Sequence, residues 1–137
     1  MFSKSIIWST VVAFLFFYFI PPLFYMGAEE CLKEYMDSSK DISREPYMFG
    51  ILGIGVLLFS YAFVKIFQKW SHGIYSNKKG FAFGIWATLL TVISMSFIRY
   101  ATTDFAEAEY YALDSVYWLA MYTIGGVLVA FVSRKTS

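Results

Sequence analysis

The chain has 137 residues, of which 58% are hydrophobic, 22% aromatic and only 15% charged, with a formal net charge of +1. One soluble core of this size cannot bury so much apolar side chain, so composition argues against a soluble globular protein and assigns the excess to lipid. The expected surroundings are therefore the bilayer and other membrane proteins or further copies of the chain, with no nucleic-acid partner.

The ten carboxylates fall in two segments, Glu29 to Glu45 and Asp104 to Asp114, while Lys65, Lys69, Lys78 and Lys79 occupy the segment between. Four apolar runs lie around these segments, at residues 6–28, 47–64, 81–98 and 110–132, each near the ~20 residues a helix needs to cross the hydrocarbon. Runs of this length without period-2 alternation do not suit barrel strands, and lipid tolerates no unpaired backbone. Short connections make neighbours antiparallel. The expected fold is an all-α membrane protein, one domain over residues 1–137, with four transmembrane helices in an up-down-up-down bundle.

The first run follows Lys4 and superficially resembles a signal peptide, but its length and the bulky Met26 favour an uncleaved span. Pro21 and Pro22 interrupt it. Each lacks an amide donor and crowds the preceding turn, so a kink is expected near Phe17 and Tyr18, shaping the helix rather than building a substrate site. Residues 27–37 extend the helix beyond the membrane, with Glu29 four residues before Lys33. Glu29, Glu30 and Glu34 share a face there, and with Lys33 among them a solvated surface is expected rather than a metal site. Cys31 is the only cysteine, which excludes an internal disulfide. Residues 38–46 read as a loop, with Ser43 as N-cap of the second span.

The second run opens with Gly50, Gly53 and Gly55. At its other end Lys65, Lys69 and His72 recur about once per turn, a pattern suited to a helix end among headgroups. Together with Lys78 and Lys79, these lysines are candidate anionic-lipid contacts. The third run begins with Gly80 and Gly84 followed by Thr88, and the fourth carries Gly125 and Gly126. Small residues at such spacing let helices approach closely in lipid, within the bundle or against another protein.

Arg99 closes the third run, and Asp114 stands about one turn into the fourth. Similar depth makes them an expected ion pair, with Asp104 competing, and its expected role is to fix helix register. Asp104 and Glu107 have capping-box spacing and should start the fourth helix. The remaining intramembrane polar groups, Tyr18, Ser60, Thr88, Thr91, Ser94, Ser96, Tyr122 and Thr123, suit helix-to-helix bonding. No carboxylate lies at mid-membrane, which argues against a proton-coupled exporter.

Lys4, Lys65, Lys69, Lys78, Lys79, Arg134 and Lys135 share one side of this topology, against Lys33, Lys40, Arg44 and Arg99 on the other. The positive-inside rule puts both termini and the middle loop in the cytoplasm. The stretch from Gly80 through Gly84, Arg99-Tyr100-Ala101-Thr102-Thr103-Asp104, and Asp114 to Gly126 resembles a group of small uncharacterised bacterial four-span membrane proteins. Arg99 departs from that group's more apolar pattern. The resemblance implies a four-helix bacterial membrane protein and transfers no activity; the expected location is the inner membrane.

Three functions fit these features. The leading expectation is a non-catalytic accessory or structural subunit of a larger membrane complex, without cofactor or metal. A second is an oligomeric channel or transporter lined by Tyr18, Thr88, Thr91 and Tyr122 and gated at Pro21-Pro22. A third is a lipid- or quinone-binding enzyme using Arg99, Asp104 and Asp114.

Overall fold

A computed structural model describes residues 3–33, 48–104 and 106–137, with the backbone alone described for Tyr25 and for residues 28–33. Helix α1 spans Lys4–Lys33 and α2 spans Phe49–Trp70. Helix α3, Asn77–Thr88, runs through a π-helical turn, Leu89–Ile93, into α4, Ser94–Thr102, and α5 spans Ala108–Thr136. Counting α3 to α4 as one unit, four helices among the described residues are long and apolar enough to cross a membrane.

Each helix outruns the apolar stretch that announces it at one end or both, because long charged side chains near a helix end can reach water along its surface. Helix α2 thus carries Lys65 and Lys69 and ends at Trp70 rather than at residue 64. There the Ser71 amide donates to Phe67 O at 2.8 Å and the His72 amide to Lys69 O at 3.3 Å. His72 and Gly73 follow with φ of 52° and 77°, a left-handed pair that ends the helix. Helix α3 then starts on Ser76, whose side chain accepts from the Lys79 amide at 3.2 Å.

Of two expected helix starts, one is corrected and the other falls outside the described residues. Helix α2 begins at Phe49, preceded by Met48 without a side-chain cap, and Ser43 lies outside the described residues. Helix α5 begins at Ala108 with Glu107, not Asp104, in the N-cap position. The reason is local: Thr103 and Glu107 are both extended, so a helix starting at Asp104 cannot form. Glu109 in the first turn and Arg134 and Lys135 in the last match the α5 dipole. Pro21 and Pro22 lie inside α1, which remains helical through them to Lys33.

Helix α5 is the hub, packing mainly against α3 and α1, while α2 packs chiefly on α1. Where α3 meets α5 the backbones touch. A Cβ on Gly80 would run into the Gly126 carbonyl, one on Gly84 into the backbone of Tyr122 and Thr123, and one on Gly126 into the Gly80 carbonyl. In a membrane, where burial of apolar surface no longer drives association, such intimate contact gains dispersion energy across the whole seam. Gly125 faces the other way, toward α1, where a Cβ would stand 2.6 Å from Phe17 Cζ.

Aromatic rings fill the centre. Phe17 meets Phe59, Phe63 and Tyr122 edge-on with centroids 5.2 to 5.8 Å apart. Between α2 and α3, Phe83 contacts Phe63, Phe67 and Trp70 at 4.9, 5.4 and 5.9 Å. Offset and edge contacts of this kind suit the ring quadrupole. Away from this core the large apolar side chains point outward; Leu90 and Phe97 are about three-quarters exposed, at 77% and 74%. Surfaces of this composition belong in lipid.

Candidate functional site: a buried hydroxyl and amide cluster

At the end of the bundle that carries Lys4, Trp70 and Arg134, three helices bring polar side chains together inside the packing. Ser5 and Ser9 stand four residues apart on α1, Gln68 lies near the end of α2, and Ser133 is in the last turns of α5. The Ser9 and Ser133 hydroxyls lie 2.9 Å apart, and Gln68 Nε2 donates to Ser5 Oγ and Ser133 Oγ, both at 3.1 Å. The Ser5 hydroxyl also donates to Ser133 O at 3.4 Å. Ser9 and Ser133 are fully buried and Ser5 nearly so.

Ser71 extends the cluster toward the loop: its hydroxyl donates to Gln68 O at 3.1 Å, while its carbonyl accepts from Lys79 Nζ at 2.8 Å. The Lys79 ammonium therefore sits at the carbonyl end of α2, where the helix dipole favours a cation. Beside Ser9, the Thr10 hydroxyl is buried without a hydrogen-bond partner.

Chemically this arrangement is a clamp. Serine becomes a nucleophile when a base within hydrogen-bonding reach takes its proton, and the partners of Ser5, Ser9 and Ser133 are hydroxyls, an amide and a carbonyl. Neutral groups that satisfy one another in a dry interior tie α1, α2 and α5 at a fixed register. Nothing in the local sequence marks the cluster beyond the four-residue spacing of Ser5 and Ser9. Its formation depends on a register that places Ser133 beside Ser9, 124 residues away.

The expected site residues are distributed as follows. Gly80, Gly84 and Gly126 meet at the α3–α5 seam, Gly125 abuts Phe17, and Gly53 is in ordinary contact with the Tyr18 ring, whereas Gly50 and Gly55 face open space. Lys79 is tied to Ser71, Lys65 is half-buried, and Lys69 and Lys78 are exposed. Pro21 is buried and Pro22 exposed. Arg99 and Asp104 are exposed near the end of α4 and Asp114 is half-buried on α5, with the Tyr110 hydroxyl within electrostatic reach of both Arg99 and Asp114.

The connection from α4 to α5 is held by a Tyr100–Tyr111 ring contact, by Thr103 and Tyr111 hydroxyls 3.4 Å apart, and by Ser115 bonded to Ser96 at 3.3 Å. Thr88 and Thr91 bond to Gly84 O and Ala87 O, in their own helix. Tyr122 lies in the aromatic core and Tyr18 stacks on Phe14. Ser94 donates its hydroxyl to Leu89 O at 2.7 Å, the carbonyl that also accepts the Ser94 amide, and so reinforces the π-helical turn. Glu34 lies outside the described residues, and the side chains of Glu29, Glu30 and Cys31 are likewise not described. Among the described residues no group of three or more His, Cys, Asp or Glu side chains is placed to hold a metal ion. Comparison with protein-family models, curated proteins and solved structures gives no match to this chain.

Proposed function

We propose that this protein is a non-catalytic accessory or structural subunit of a larger membrane complex, in which α2 packs against a partner membrane protein. The observation that carries the reading is a contrast between glycines. On α3 and α5 glycine permits backbone contact, but Gly55 on α2 meets nothing within 4 Å. With Ile51, Leu58 and Ala62 it forms an exposed row at helical spacing. Glycine in a helix interior costs about 1 kcal/mol relative to alanine, a cost that close approach of another helix offsets.

In this proposal the four spans run up-down-up-down through a bacterial inner membrane. Both termini and the loop between α2 and α3 lie in the cytoplasm, and the two acidic loops lie outside, a sidedness that the lysine and arginine distribution supports. The hydroxyl and amide cluster then sits near the cytoplasmic interface, holding α1, α2 and α5 while the outer face of α2 remains available. Photo-crosslinkers introduced at Leu58 of α2 and at Leu90 of the π-helical turn test the reading in the native membrane. A discrete protein adduct from Leu58, absent from Leu90, is expected; lipid adducts alone from both would overturn it.

A further inference from the structure

The surface of the α3–α5 seam carries a shallow groove of about 230 Å³ lined by Phe81, Thr123, Ile124, Val127 and Leu128. It lies beside the contact at which Gly80, Gly84 and Gly126 bring the two backbones together. Almost all of the lining is apolar. Toward the chain termini, the helix faces that line the groove carry cations. On α5 the row Ile124, Leu128, Phe131 and Lys135 continues at spacings of four, three and four, and Arg134 stands one turn beyond Phe131. On α3, Lys78 lies one turn before Phe81.

All three cations are exposed. Arg134 and Lys135 share one anchor, with Arg134 Cζ 5.6 Å and Lys135 Nζ 5.9 Å from the centre of the Phe131 ring. An apolar trough topped by three positive charges complements one kind of molecule in a bilayer, an amphiphile with an anionic head and an extended tail. We infer that this groove binds an anionic phospholipid, one acyl chain lying against Phe81, Ile124 and Leu128 and the phosphate held by Lys78, Arg134 and Lys135. The inference needs only that the helices span a membrane and does not depend on a partner at α2.

The test is native mass spectrometry of the full chain released from vesicles of equal phosphatidylglycerol and phosphatidylcholine content. One phosphatidylglycerol should be retained per chain with about tenfold or greater preference, weakening as salt is raised. The exposed-charge variant K78Q/R134Q/K135Q should return to the ratio of the vesicle, whereas K4Q, an exposed charge altered on α1, should behave as the parent. Leu128→Trp, which fills the groove and leaves every charge in place, should also lose the lipid. Retention at the vesicle ratio by the parent, or equal loss in K4Q, would overturn the assignment. So would a photo-crosslinker at Ile124 that marks a polypeptide instead of a lipid.

Discussion

Gly80 of α3 and Gly126 of α5 are in direct backbone contact, each occupying the space a side chain on the other would need. A methyl group at either position, or at Gly84, must push the helices apart. Alanine at any of the three should lower stability in detergent by about 1–3 kcal/mol, the usual range for overpacking. Gly55→Ala has open space around it and should leave the isolated protein unchanged, or stabilise it by up to about 1 kcal/mol through helix propensity. Equal loss of stability in Gly80→Ala and Gly55→Ala, measured by thermal unfolding, would contradict the assignment of the seam.

Gln68 and Ser133 provide the second prediction. Removing either leaves polar partners buried, so Gln68→Leu and Ser133→Ala should each destabilise, and their double mutant should lose less than the two together. A coupling of roughly 0.5–1.5 kcal/mol is expected for hydrogen bonds between membrane helices. Additive effects in the double-mutant cycle would show that the amide and hydroxyl act separately.

The turn after α2 yields a third. His72 and Gly73 both have positive φ, a conformation that crowds Cβ in any residue but glycine. His72→Gly should be neutral or stabilising by up to about 1 kcal/mol, and Gly73→Ala should cost about 1 kcal/mol. The opposite order in a chemical or thermal unfolding series would rule out this turn geometry.

Phe17 is the ring on which α1, α2 and α5 converge. It is buried, contacts Phe59, Phe63 and Tyr122, and lies against Gly125. Phe17→Ala should cost about 3 kcal/mol or more by leaving a cavity at the junction, and Leu15→Ala, on the exposed side of α1, should cost far less. Comparable midpoints for the two variants would show that the centre of the bundle lies elsewhere.

The four helices are legible in the sequence because lipid imposes a length and an apolarity that few other structures share. Their ends are less so. The Asp104–Glu107 spacing suggests a cap, yet Thr103 and Glu107 are extended and α5 starts one residue beyond Glu107. Gly55 and Gly84 look alike in sequence, since glycine spacing does not say whether a face meets a helix or lipid. Ser133 gives no local sign of joining Ser9, because that contact is set by the register of α5 on α1. The pairing of cations with the seam groove is likewise a product of register, which brings Lys78 of α3 and Lys135 of α5 to one end.

The most direct test of the accessory-subunit account is the native mass, with protein identification, of the chain extracted from its own membrane in mild detergent. Recovery with the same companion membrane protein at fixed stoichiometry is the predicted result. A monomer, or an assembly of this chain alone, would contradict it.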